Sequence, residues 1–91
     1  MSEEQYRVVF TEAADKQLKK LEKPVQRRIL LAIGRLETNP RPDGVKKLKG
    51  SSDRWRVRVG DWRIVYKIED GQLVILVLAI GHRGKVYRDN Q

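Results

Sequence analysis

The sequence predicts an α+β domain: an antiparallel β-sheet, built from an N-terminal strand and a three-strand meander, with an N-terminal helix pair packed on one face. Three observations predict it. Apolar residues recur at helical spacing through the first part of the chain, from Ala14 to Leu36. They then switch to strict alternation from Trp55 to Ile68, the period of a half-buried strand. Two tight-turn dipeptides, Gly60-Asp61 and Asp70-Gly71, divide that second half into strands. With 91 residues the chain is expected to be one domain, 1–91, near the lower end of what a single core supports.

Each element has a local cause. Tyr6 to Phe10 is rich in β-branched and aromatic residues and reads as a short opening strand. Thr11 can cap a helix whose first turn carries Glu12 and Asp15, where the dipole favours acids. Ala14, Leu18 and Leu21 form its apolar stripe. Pro24 suits a first helical position, and Val25, Ile29, Ala32, Ile33 and Leu36 form a second stripe that Asn39-Pro40-Arg41-Pro42 ends. The short break at Glu22 and Lys23 makes the helices an antiparallel pair. A basic loop follows, then Trp55, Val57 and Val59 alternate with Arg54, Arg56 and Arg58. Trp62, Ile64, Tyr66 and Ile68 alternate with Arg63, Val65 and Lys67. Leu73 to Ile80 is apolar on both faces, as a central strand would be.

Charge narrows the function. Lys and Arg number 20 against 12 acidic residues, a formal net charge of +8. A small domain this basic attracts polyanions, and nucleic acid is the commonest of them. Cysteine is absent, which removes thiolate chemistry and disulfides. The first residues are polar and acidic, unlike a secretory signal, and the longest apolar run is too short to span a bilayer. A soluble cytoplasmic protein without membrane contact is expected.

Two clusters are candidates for chemistry. The meander should present Arg54, Arg56 and Arg58 in a row on the face away from the helices, with Arg63 on the next strand. Guanidinium groups offer planar forks of donors that match phosphate oxygens; a merely solvated strand face is the plain alternative. The second cluster is Gly81-His82-Arg83-Gly84-Lys85-Val86-Tyr87-Arg88. Histidine exchanges a proton near neutral pH, arginine can stabilise a pentacovalent phosphate, and tyrosine can stack on an exposed base. A surface histidine and a tyrosine anchoring the tail are the plain alternatives. His82 stands alone among potential metal ligands, and no cofactor is implied.

The order of elements resembles the RelE/ParE toxin superfamily over essentially the whole chain. The carriers are Asn39-Pro40-Arg41-Pro42-Asp43-Gly44 with Lys47-Leu48-Lys49-Gly50, then Trp55 to Tyr66, then Ile80-Gly81-His82-Arg83 and Val86-Tyr87. A RelE-type resemblance implies the toxin of a type II toxin–antitoxin system. Such a toxin is a metal-independent mRNA endoribonuclease that cuts in the ribosomal A site. The ribose 2′-hydroxyl attacks the adjacent phosphate and leaves a 2′,3′-cyclic phosphate. Carried over by position, Arg56, Arg58 and Arg63 would hold and polarise the scissile phosphate, and Arg83 would sit at the leaving oxygen. Tyr87 would stack on a base or share in proton transfer. Lys46, Lys47, Lys49 and Arg54 would bind ribosomal RNA. The implied partners are the ribosome, mRNA and a cognate RelB-like or other antitoxin.

One departure matters. Where the best-known member has lysines on the first meander strand, this chain has Arg56 and Arg58, and arginine is the side chain least able to release its proton. These two are therefore expected to carry charge while His82 or Tyr87 moves the proton. A ParE-type toxin that inhibits DNA gyrase and a non-catalytic ribosome- or RNA-binding homologue are the rival readings. The conjunction of Arg63, Arg83 and Tyr87 favours the nuclease.

Overall fold

The computed structural model describes residues 5–42, 45–48 and 54–82. Its elements in chain order are β1 (Arg7–Phe10), α1 (Glu12–Lys19), α2 (Lys23–Leu36), β2 (Lys46–Lys47), β3 (Arg54–Val59), β4 (Trp62–Glu69) and β5 (Val74–His82). Thr11 caps α1: its Oγ1 accepts from the Ala14 N–H at 3.1 Å, a contact of the kind that contributes about 1 kcal/mol. Two further bonds tie this cap to the sheet. The Thr11 N–H donates to the Val77 carbonyl at 3.0 Å, and its hydroxyl reaches the Leu78 carbonyl at 3.1 Å. Pro24 lies one residue inside α2 rather than at its first position, where its missing N–H still costs nothing. Gln26 at the start of α2 donates to the Leu18 carbonyl at 2.9 Å and so satisfies the end of α1.

The strands form one five-stranded sheet in the order β1-β5-β4-β3-β2. The meander β3-β4-β5 is antiparallel, as the two turns require. The N-terminal strand departs from the antiparallel expectation: β1 runs parallel to β5, with Arg7 opposite Val74 and Phe10 opposite Val77. No hairpin joins these two strands, and the helix pair and meander between them supply the long connection a parallel neighbour needs. The basic loop also contains a strand the alternation did not reveal, since Lys46 and Lys47 pair with Arg56 and Trp55.

The two expected turns differ. Gly60-Asp61 is a tight hairpin, with Val59 opposite Trp62 and Gly60 at φ +61°, where a glycine is the natural choice. Asp70-Gly71 opens a longer turn that closes at the Glu69–Val74 pair. Its left-handed residue is Leu73, at φ 55°. Leu73 therefore falls outside the strand expected to begin with it. Its carbonyl accepts from the Arg7 N–H at 2.7 Å, and its side chain packs against the core, which hold it in that conformation.

Ala14, Leu18, Ile29, Ile33 and Leu36 of the helices pack on Ile64, Tyr66, Ile68, Ile75, Val77 and Ile80 of the sheet. Among the described residues, α1 and α2 pack on that one face, as alternation in β3 and β4 predicts. Both β4 and β5 are interior strands, and each has consecutive buried residues, Ile64 to Tyr66 and Val74-Ile75. No helix among the described residues is long and apolar enough to cross a membrane.

Candidate nucleic-acid interface

The sheet's other face is cationic along β3 and at Arg63 and Lys67 of β4, while Val65 and the β5 residues Ala79 and Leu76 in register with β4 are apolar. Register sets Arg58 directly opposite Arg63, Arg56 opposite Val65 and Arg54 opposite Lys67. Lys46 extends the Arg56 row from β2. The cations thus form a patch two to three strands wide rather than a single line. Arg54 and Arg58 are exposed, Arg56 is half-buried, and Arg63 is only 8% exposed. Like charges directly opposite on neighbouring strands cost stability. Two arginines opposite one another on a rigid sheet offer planar forks of donors of the kind that suit a phosphate.

The sequence-predicted residues do not all converge. Arg54, Arg56, Arg58, Arg63 and Lys46 share the cationic face. Lys47 does not: it lies opposite Trp55 on the helix-facing side, with its ammonium 5.8 Å from that ring. His82 does not either. It pairs with Trp62, and the two rings meet edge to face at 5.3 Å. A β-bulge causes this. Val65 faces Ala79 while Tyr66 faces Val77, so Leu78 is an extra residue in β5. Strict alternation from the buried Val77 would carry His82 to the arginine side; the bulge returns Ile80 and His82 to the helix-facing side. Lys49, Arg83 and Tyr87 lie outside the described residues.

Lys67 joins the cationic face by register, and its ammonium pairs with Glu69 at 3.2 Å. Its alternation with Arg63 in β4 was the available signal. Arg41 had no such signal. Its guanidinium binds the Asp70 carboxylate, with Nη2–Oδ2 at 3.0 Å, and lies 5.3 Å from the Trp55 ring. Tyr6 donates to the same carboxylate at 2.7 Å, and Tyr66 donates to the Pro40 carbonyl at 2.7 Å. These contacts staple the segment after α2 to the sheet and so fix where β2 and Lys46 begin. The hydrogen bond from Arg41, followed by that from Tyr6, holds the Asp70 carboxyl below its ordinary range. Burial pushes the Tyr66 hydroxyl well above its own, so it serves as a fixed donor and not as an acid–base group.

Comparison with known proteins agrees with this architecture. Residues 8–87 match the family described as the ParE toxin of type II toxin–antitoxin systems, parDE. A protein of Escherichia coli described as a RelE-like toxin is 35% identical over 80 residues, covering 86% of this chain and 83% of its own. The toxin RelG of Mycobacterium tuberculosis is 29% identical over 84 residues, covering 91% of this chain and 97% of its own. Among solved structures, the archaeal RelE–RelB complex from Pyrococcus horikoshii superposes with a TM-score of 0.78 at 35% identity, covering 89% of this chain and 98% of that one. The chain belongs to the RelE/ParE superfamily, as a RelE-type toxin of a type II toxin–antitoxin system.

Proposed function

We propose that the protein is an mRNA endoribonuclease that acts on the ribosome and is silenced by an antitoxin protein. The observation that supports this most is the Arg58–Arg63 opposition within the cationic face, flanked by Arg56 and Arg54. Arg56, Arg58 and Arg63 hold and polarise the scissile phosphate as negative charge builds on its oxygens. Arg83 neutralises the leaving 5′-oxygen. The 2′-hydroxyl attacks the phosphorus, the bond to the 5′-oxygen breaks, and the products are a 2′,3′-cyclic phosphate and a 5′-hydroxyl. Lys46, Lys49 and Arg54 bind ribosomal RNA, while Lys47, against Trp55 on the helix-facing side, stands apart from them. The proton passes through Tyr87 or His82, and the position of His82 beside Trp62 on the other face favours Tyr87. Full cleavage by His82→Gln would assign the step to Tyr87; loss of cleavage would assign it to His82. Antitoxin binding is supported by neighbours solved as RelE–RelB and RelBE complexes.

The test is cleavage of an mRNA programmed on ribosomes, beside the same RNA free in solution and an Arg83→Ala variant. Cuts only on the ribosome, with cyclic phosphate ends and loss in Arg83→Ala, are expected. Intact mRNA in every lane contradicts the reading. The matched family is described by its ParE toxins, which supports one rival: inhibition of DNA gyrase without RNA cleavage. A supercoiling assay with the same preparation separates the two.

A further inference from the structure

We infer that Gln17 and Thr11 are positioning residues of the arginine site: bonded to β5 from α1 and its cap, they hold the bulge that sets Gly81 beside Arg63. The inference rests on the nuclease reading for what that site does and adds what keeps its β5 flank in place. β1 ends at Phe10, opposite Val77. From Leu78 to His82, β5 therefore has a strand neighbour on its β4 side alone. Backbone groups on its open side need partners from elsewhere, and two side chains supply them. Gln17 Oε1 accepts from the Ile80 N–H at 2.8 Å, and the Thr11 hydroxyl donates to the Leu78 carbonyl at 3.1 Å. A backbone N–H can only donate, so the oxygen of the Gln17 amide is the atom turned toward it. The two bonds grip β5 at its extra residue and two places beyond it.

The bulge decides what stands next to Arg63. With it, Gly81 lies directly opposite Arg63, and Ile80 lies opposite Ile64 in the core, only 2% exposed. Without it, β5 would slide by one residue beyond Val77. Leu78 would then meet Val65, Ala79 would meet Ile64, and Ile80 would meet Arg63. That register sets a branched apolar side chain against the guanidinium whose other strand neighbour is Arg58. Glycine projects nothing from β5 at that point, which suits close approach of a phosphate oxygen to Arg63. A slip of one residue also sends every later side chain to the wrong face, so His82 would leave Trp62 for the arginine side. Burial of Ile80 opposes the slip, and the Gln17 and Thr11 bonds oppose it from the same side of the sheet. Bulges commonly re-aim side chains next to a site in this way. Gln17 thus acts on the phosphate site through Gly81 and Arg63, without touching the phosphate.

The test compares Gln17→Met, which keeps the side chain's length and loses the acceptor, with Gln17→Glu, which keeps an oxygen to accept from Ile80. Two readouts are taken on each. One is the NMR cross-peak between the rings of Trp62 and His82, which meet edge to face at 5.3 Å and report the phase of the end of β5. The other is cleavage of ribosome-bound mRNA, resolved into kcat and KM. In Gln17→Met the cross-peak should weaken and kcat should fall by about 10²-fold, the size of loss a small misplacement of a site causes. KM should keep its wild-type value, and Gln17→Glu should restore both readouts. An undiminished cross-peak in Gln17→Met overturns the proposal whatever the cleavage rate. Wild-type cleavage beside a weakened cross-peak overturns it too, as does failure of Gln17→Glu to restore the two. Gly81→Val tests the same flank without altering α1: the cross-peak should persist while kcat falls, and wild-type cleavage by this variant overturns the proposal. Wild-type protein that cuts no mRNA overturns the nuclease reading alone, and the ring contact still decides whether Gln17 holds the bulge.

Discussion

The two faces of the central sheet are built from the same strands and do opposite things. On β3 and β4, Trp55, Val57, Val59, Ile64, Tyr66 and Ile68 face the helices, while Arg54, Arg56, Arg58, Arg63 and Lys67 face away. The first set contributes stability through removal of apolar area from water. The second sets like charges opposite one another at Arg58–Arg63 and Arg54–Lys67, pairings that taken alone disfavour the fold. A two-residue period lets one strand serve both purposes, since a change on one face leaves the other face's side chains where they are. Stability and phosphate recognition should therefore be separable by mutation, although they alternate residue by residue.

The largest expected effect lies on the helix-facing side. Ile29 is fully buried against the sheet, and Ile29→Ala should cost about 2–5 kcal/mol. In a domain of this size that lowers the melting temperature by roughly 10 °C or more, measurable by calorimetry. RNA affinity per folded molecule should stay constant; a parallel loss of affinity would break the separation. On the other face, the double change Arg56→Gln with Arg58→Gln removes two phosphate contacts. The slope of log affinity against log salt should fall by about 1.4 for single-stranded RNA. A titration over a salt series that kept the wild-type slope would show that these arginines do not touch phosphate.

Smaller effects probe the places where the faces are joined. Gly60→Ala puts a side chain at φ +61° and a Cβ 3.1 Å from Arg28 Nη2. The left-handed backbone costs about 1–2 kcal/mol, while the end of the arginine can move aside. The shift should appear in the urea midpoint without a change in the slope of the unfolding curve. Asp70→Asn should give the smallest effect, and one that depends on pH. The carboxyl is held below its ordinary range by Arg41 and Tyr6, so its contribution is present above about pH 4 and is lost as pH falls through the lowered folded-state value. Melting temperatures of wild type and variant should differ at neutral pH and converge in acid. A constant gap across that range would show that the Arg41–Asp70 pair does not govern it.

How much of this was legible beforehand differs by element. The alternation around Trp55 and Trp62 reads directly as a two-faced strand pair, because period two maps one to one onto sheet faces. The helices are equally plain, since their stripes and the Thr11 cap are local. What stayed hidden is non-local. The parallel pairing of β1 with β5 depends on which strand edge remains open, which no short segment records. The placement of His82 depends on one extra residue, Leu78, whose carbonyl is held by Thr11 from the other end of the chain. A count along β5 alone cannot detect that shift. The Arg41–Asp70–Tyr6 staple joins residues as far as 64 positions apart, and nothing near Arg41 marks it.

The most direct test of the central claim is cleavage of ribosome-bound mRNA by the Arg58→Ala/Arg63→Ala double variant, set against wild type at equal concentration of folded protein. The cyclic phosphate ends are counted, and a melt is run on each sample. If the cationic face holds the scissile phosphate, cleavage falls by about 10²–10³-fold or more while the variant stays folded. Wild-type cleavage by the folded double variant would contradict the account and place the phosphate elsewhere.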